Sequence, residues 1–372
     1  MHKLVDQSLA IITAGQSPEG AYIACPSYPT YAYSWFRDGT FIAAAMDRWQ
    51  KHESAQRFYT WASSIVVARA AAIERCITNA TQGRALHPAD LLDTRYTLDG
   101  RSGDEEWPNF QLDGFGTLLW GMQNHLHATG QSRLPADWSR AADLLVRYLA
   151  ALWQLPNSDC WEEFPEQIAV STLACLHAGL HAISTAKEAH DPHAALAAAT
   201  ARHIKTSILS AGVLADHLIK QINGEDVVDA SLLWACVPFE EHGVLAASDP
   251  LMRATVARIE HDLTGQTGGI HRYRNDTFYG GGEWVNLTAL LGEYHAATGN
   301  RAGLQRCLAF IEAAASPEGH LPEQISHAPL HPAYVEEWRA RWGNVASPLL
   351  WSHAAYLSLV AASTDPPTTP TK

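Results

Sequence analysis

The stretch DCWEEFPEQIAVSTLACLHAGLHAISTAKE, Asp159 to Glu188, holds the pattern from which the fold can be read. From Pro165 onward it is an Ala- and Leu-rich run with apolar residues at helical spacing, which predicts a helix over 165–188. Its first residues set Trp161-Glu162-Glu163 just ahead of that helix. Outward in both directions the same kind of segment recurs, at 2–14, 38–50, 53–80, 113–129, 135–153, 191–210, 229–237, 249–263, 284–298, 301–316 and 349–363, divided by Gly, Pro and Asp stops. Twelve helices in one run, with no convincing set of alternating strands between them, predict an all-α chain. The architecture expected is an (α/α)6 barrel, a six-hairpin toroid of six inner helices ringed by six outer ones. Residues 1–363 would form this single domain, and 364–372, TDPPTTPTK, a disordered tail.

The uncommon residues fall at particular places in that series. Ser34-Trp35-Phe36-Arg37-Asp38 leads into the second helix, Trp107-Pro108-Asn109-Phe110-Gln111-Leu112-Asp113-Gly114 into the fourth, and Asp159 to Glu163 into the sixth. Asp229 starts the eighth, Arg272-Tyr273-Arg274-Asn275-Asp276 comes before the tenth, Leu321-Pro322-Glu323-Gln324 lies upstream of the twelfth, and Trp351-Ser352-His353 is in its first turn. All are at the leading ends of even-numbered helices, which in a toroid of alternating helices share one rim. A pocket on that rim would be lined with Trp, Arg, Asp and Glu. A plainer account exists for three of them, since Asp38, Asp113 and Asp229 are each placed to cap a helix N-terminus, and Arg37 beside Asp38 could be a structural ion pair.

Bulk properties narrow the partners. A net charge of −13 argues against a nucleic-acid partner, which favours a basic face. No stretch of roughly 18 uninterrupted apolar residues is present to cross a membrane, and MHKLVDQSLAIITAGQ is a poor signal peptide. The six cysteines are scattered with no CxxC pair, as expected of buried free thiols in a reducing compartment, so a cytoplasmic location is expected. The 19 histidines contain no HExxH and are dispersed, so neither a metal nor another cofactor is expected. Thirteen Trp are many for the length, and a Trp can stack on the apolar face of a sugar while polar neighbours bind its hydroxyls.

Glu162 and Glu323 both sit beside aromatic or apolar residues. Two carboxyls from distant parts of a chain, one protonated and one ionised, are what glycosidic-bond hydrolysis requires. A Glu pair alone is weak evidence, because most Glu residues are solvated surface charges.

The ordered blocks add to it. Tyr31-Ala32-Tyr33-Ser34-Trp35-Phe36-Arg37-Asp38 resembles the Y-x-Y-x-W-x-R-D block of glycoside hydrolase family 15, the glucoamylase-like enzymes. Trp107 to Gly114 resembles its W-x-x-x-Q-x-D-G block, Asp159 to Glu163 its D-x-W-E-E block, and Arg272 to Tyr279 its R-Y-x-x-D-x-Y-Y block. Pro322-Glu323-Gln324 and Leu350 to Ala354 resemble the two blocks that close the family pattern. The resemblance implies Glu162 as general acid, Glu323 as general base and Tyr31 near the attacking water. It implies that Trp35, Arg37, Asp38, Trp161, Arg272 and Trp351 hold the terminal glucose, with Trp107 flanking it and Glu163 on the sugar beyond the scissile bond. It also implies inversion, with the two carboxyls roughly 6.5–9.5 Å apart. Glu162 would be kept protonated by an apolar setting and by Glu163, and Glu323 kept ionised by hydrogen bonds from Gln324, Tyr31 or water.

Two departures stand out. Phe278 replaces a Tyr whose hydroxyl could tether Tyr31, and Glu283 replaces a Pro and would add an acceptor near the pocket mouth. A short chain without room for a β-sandwich or starch-binding module suits a small soluble sugar. The expectation is an exo-acting α-glucosidase that releases β-glucose from short α-glucosides, preferring α-1,6 linkages as in isomaltose. Action on α-1,4 maltooligosaccharides or on trehalose are the alternatives within enzymes. A sugar-sensing domain without catalysis is the alternative outside them, and would be expected to lack one catalytic Glu or the Arg-Asp clamp. The sequence leaves the oligomeric state open.

Overall fold

The computed structural model describes residues 2–186 and 194–364, so the tail expected from 364 lies outside the described residues beyond its first position. In chain order the α-helices are α1 (His2–Ala14), α2 (Phe36–Arg48), α3 (His52–Ala68), α4 (Ala70–Thr81), α5 (Asp113–Thr129), α6 (Ala136–Leu152), α7 (Val170–Thr185), α8 (Ala194–Ala211), α9 (Pro250–Leu263), α10 (Val285–Ala297), α11 (Arg301–Ala314), α12 (Val335–Trp342) and α13 (Leu350–Thr364). A 3₁₀ segment, Ala230–Ala235, stands between α8 and α9.

The inner ring follows from burial. In α7 and α10 nearly every residue is buried, whereas α9 and α11 bury one face. A helix apolar all round must be surrounded, and an amphipathic one covers it. Accordingly α2 packs on α5, α5 on α7, α7 on the 3₁₀ segment, that segment on α10, α10 on α13, and α13 back on α2. Around this closed ring lie α1 on α13, α3 on α2, α6 on α5, α8 on α7, α9 on the 3₁₀ segment and α11 on α10. The result is the (α/α)6 barrel. The α5–α7 crossing is the tightest joint: a Cβ on Gly179 would lie 2.0 Å from Gly116 O, and one on Gly116 2.5 Å from Cys175 O.

Several boundaries differ from the sequence expectation. The helix expected over 53–80 breaks at Arg69, which leaves helical geometry where its guanidinium reaches Ser102 Oγ and lies over the Tyr96 ring. The helix expected from 165 starts at Val170, because Phe164 is left-handed and Ala169 bridges to Gln221; its last two expected residues lie outside the described ones. The start expected at 191 is likewise outside them. The segment expected at 229–237 is 3₁₀ rather than α and spans Ala230–Ala235; it stops at Cys236, whose φ of −132° and ψ of −67° lie outside helical geometry. Helix α12 was not expected at all.

Nor were strands, yet among the described residues three antiparallel pairs of two-residue strands occur: β1 (Ser34–Trp35) with β2 (Arg95–Tyr96), β3 (Val213–Leu214) with β4 (His217–Leu218), and β5 (Glu283–Trp284) with β6 (Gln324–Ile325). Two of them bear on the rim: β1 runs straight into α2, β5 into α10, and β6 directly follows Glu323. No helix among the described residues is long and apolar enough to cross a membrane, and all six cysteines are buried and free.

Candidate active site

The turn carrying Glu162 is built on Asp159. The Asp159 N–H donates to Glu163 O (2.9 Å), and its own carbonyl accepts from Glu162 N–H (2.9 Å). Its Oδ1 accepts from the N–H groups of Trp161 (3.0 Å) and Glu163 (3.1 Å). In this tight turn Glu162 has φ 68° and Phe164 φ 53°, a left-handed backbone that costs on the order of 1–3 kcal/mol per residue unless the surroundings enforce it. Enforcement comes from behind. The buried Lys220 ammonium bonds Asp229 Oδ2 (2.7 Å) and lies 3.3 Å from Asp159 Oδ2, and the Trp161 indole N–H donates to the same Asp229 oxygen (2.9 Å). Burial pushes Asp159 up to about 6, opposed by Lys220. Lys220→Met would leave two buried carboxyls without their cation, so a loss of roughly 3–5 kcal/mol is expected in chemical denaturation; a loss below 1 kcal/mol would count against the clamp.

Asp229 is therefore both a cap, accepting from Ser231 N–H (2.8 Å), and the anchor of Trp161. Asp38 is not a cap: α2 begins two residues earlier, and Trp35 in the capping position makes no side-chain cap bond. Asp113 opens α5 and accepts from Arg37 (2.9 Å), which also donates to Gln111 Oε1 (3.2 Å). Arg37 Nε lies 3.4 Å from Asp38 Oδ1, yet neither atom has a hydrogen-bond partner among the described residues. Burial pushes Asp38 up to about 6, opposed by Arg37. A buried, half-unsatisfied Arg–Asp pair is a costly arrangement that a hydroxyl-rich ligand would satisfy. Trp351 lies beside it, parallel to Phe41 (5.4 Å between ring centroids) and under the Arg37 guanidinium (5.7 Å).

Glu323 is held through its backbone. Its N–H donates to Ala346 O (2.9 Å) and its carbonyl accepts from Val285 N–H (3.2 Å). The two residues before it are gripped by α13: Ser352 Oγ donates to Pro322 O (2.8 Å), and Leu321 N–H to His353 Nε2 (3.1 Å). One Glu323 oxygen accepts from Tyr31 (3.1 Å), and the other has no hydrogen-bond partner among the described residues. Gln324, expected to help hold the charge on Glu323, turns away to Gly282 N–H and Phe278 O, because successive strand residues face opposite sides. Burial pushes Glu323 up to about 8, with the Tyr31 hydrogen bond and Arg272 pulling the other way, so it is far less readily ionised than expected.

A base must be ionised to act, so kcat/KM should fall as the pH drops through this raised value, with an acid limb above the ordinary carboxylate range. Tyr31→Phe removes a bond that favours the carboxylate and should move the acid limb of its residual activity higher still. A limb that stays put would rule out this coupling.

The two carboxyls are kept apart by aromatic rings. Trp35 Nε1 donates to Glu162 Oε1 (2.7 Å), Tyr31 bonds Glu323, and the two rings meet edge to face at 5.6 Å. Tyr31 also packs on Tyr28 (4.7 Å), whose hydroxyl bonds that of Tyr279, so Tyr279 braces it indirectly where Phe278 has no hydroxyl. Glu163 bonds Tyr273 and Arg272 (3.3 Å), and Arg272 bonds Asp276 (2.8 Å). Trp107 packs under Arg95 (3.5 Å). Glu283, expected near the mouth, is instead buried behind the wall, accepting from Thr267 Oγ1 (2.6 Å) and Gly269 N–H (2.7 Å), because its strand neighbour Trp284 takes the pocket side.

One pocket of about 350 Å³ brings together all eleven residues singled out in the sequence: Tyr31, Trp35, Arg37, Asp38, Trp107, Trp161, Glu162, Glu163, Arg272, Glu323 and Trp351. Trp338, Arg341 and Trp342 of α12, with Glu106, line it as well and were not anticipated. The run VEEWRARW carries a helical Trp spacing that could have found the first three; Glu106 gives no such signal. Among the described residues no group of three or more His, Cys, Asp or Glu is arranged to hold a metal ion.

The family model for glycosyl hydrolases family 15 matches residues 2–317. The chain is 39% identical to isomaltose glucohydrolase of Kribbella flavida over 361 residues, 96% of this chain and 92% of that protein. Among solved structures, a glycosidase in complex with glucose superposes with TM-score 0.92 at 38% identity, covering 97% of this chain and 96% of that one. A bacterial glucoamylase complexed with acarbose superposes with TM-score 0.69 at 20% identity, covering 97% of this chain and 55% of that one.

Proposed function

The chain belongs to glycoside hydrolase family 15, and from that membership we propose that Glu162 and Glu323 are the acid and base of an inverting hydrolysis whose substrate is a short α-1,6-linked glucoside such as isomaltose. It is an exo-acting glucosidase. The observation that carries the residue roles is the pair of carboxyls in one pocket with different partners, an indole N–H on Glu162 and a phenol on a deeply buried Glu323. In this reading Arg37 and Asp38 bind hydroxyls of the terminal glucose, and Trp351 lies against its ring. Glu162 gives its proton to the glycosidic oxygen as the bond to the anomeric carbon breaks. Glu323 takes a proton from the water that attacks that carbon from the opposite face, and the product is β-glucose.

The substrate reading is supported by identity with isomaltose glucohydrolase along nearly the whole chain and by a pocket at the small end of the usual range for ligand sites. The test is proton NMR of the anomeric signals during the first minutes with isomaltose. Early β-glucose supports inversion, and early α-glucose overturns it. Faster cleavage of maltose or of long maltodextrins would overturn the linkage preference.

A further inference from the structure

The roles assigned so far leave part of the pocket unexplained. Helix α12 buries none of its own residues, yet it places Trp338, Arg341 and Trp342 on the same cavity as the two carboxyls. Its flanks are pinned. His331 N–H donates to Gly280 O (2.8 Å), Leu330 N–H to Gly281 O (3.2 Å), and the Tyr279 hydroxyl to Gly343 O (3.0 Å). Trp338 packs edge-on against Phe278 (5.0 Å), and Trp342 against Trp338 (5.0 Å) and Tyr28 (6.5 Å). The helix is thus a fixed wall. Exposure orders the pocket from floor to mouth: Arg37, Asp38 and Glu323 are buried, Trp338 and Trp107 are half-buried, and Arg341 and Glu106 are exposed.

On α12, Arg339 is paired with Glu336 (2.7 Å). Arg341 instead lies over the rings of Trp338 (5.3 Å) and Trp342 (4.9 Å), and among the described residues neither it nor Glu106 has an ion-pair partner. A half-buried indole on a cavity whose mouth also carries one cation and one anion, each with unused hydrogen-bonding capacity, is suited to a neutral, hydroxyl-bearing ring rather than to an anionic group.

We propose that α12 binds the sugar on the leaving side of the scissile bond, Trp338 covering its ring and Arg341 and Glu106 bonding its hydroxyls. The proposal rests on the hydrolytic reading above and extends it to the far side of the bond. It makes α12 a determinant of what the enzyme accepts after the terminal glucose.

Two substrates separate this role from a structural one. α-Glucosyl fluoride carries the terminal glucose but no leaving sugar, so a surface that binds only the leaving sugar cannot contribute to its hydrolysis. For Trp338→Ala and Arg341→Ala, the ratio of kcat/KM on the disaccharide to kcat/KM on the fluoride should fall about tenfold or more, the scale of losing one ring contact or charged hydrogen bond. A ratio equal to that of the unaltered enzyme in both variants overturns the proposal, whatever the absolute rates. Arg341 is exposed, so its variant remains informative where Trp338→Ala does not fold. The disaccharide is whichever of isomaltose and maltose the unaltered enzyme cleaves faster, so an error in the linkage reading is seen before any variant is made.

Discussion

Glu162→Gln should cut turnover of isomaltose by roughly 10²–10⁴-fold, the usual contribution of a positioned proton donor, while sparing α-glucosyl fluoride. Departing fluoride needs little protonation, so only a leaving sugar exposes the missing acid. The amide keeps an oxygen that can accept from Trp35, which preserves the contact that orients the side chain. Comparable losses on both substrates would remove Glu162 from the acid role and make it a binding group.

Glu323→Gln carries the complementary expectation: both substrates should lose turnover by a similar factor, because each needs an activated water. Full activity on either would sink the base assignment. The same substitution should also change stability in a way that depends on pH. Glu323 is raised to about 8 in the folded protein, against an ordinary value near 4.5. Below the ordinary value both states hold the proton and the carboxyl carries no penalty. As the pH rises from there through the folded value, the unfolded chain ionises freely while the folded one resists, so stability is lost across that window. A neutral Gln escapes this, so Glu323→Gln should melt higher than the unaltered protein at pH 8 and above, with the gap closing toward pH 4. A gap independent of pH would place the cause elsewhere.

The parts of the site legible in the sequence were those whose chemistry lies in contiguous residue types. Ser34 to Asp38, Asp159 to Glu163 and Pro322 to Gln324 each hold aromatic and charged residues in short blocks, and all three reach the pocket. The toroid is legible because helical spacing and its Gly, Pro and Asp stops are properties of each segment alone, and twelve such segments follow one another. What escaped depends on partners far along the chain. Lys220 is a single lysine with no local pattern, and its role exists only because Asp159 and Asp229 fold against it. For Glu283 and Gln324 the sequence points to the wrong side, because two-residue strands are too short to show alternation. The 3₁₀ geometry of Ala230–Ala235 is hidden for a similar reason, since a six-residue run with five apolar residues fits either helix. The raised pKa of Glu323 reflects how deeply the finished fold buries it.

Because α13 closes the ring on α2 and bears the grip on the Glu323 loop, the pocket combines contacts between residues hundreds of positions apart, such as Tyr31 with Glu323. Contacts of such long sequence separation are slow to form, since loop-closure entropy must be overcome first. During refolding, helical signal should therefore return well before glucose release does. Partly assembled molecules would be inert rather than weakly active, as no arc of the ring holds both carboxyls without its last helix.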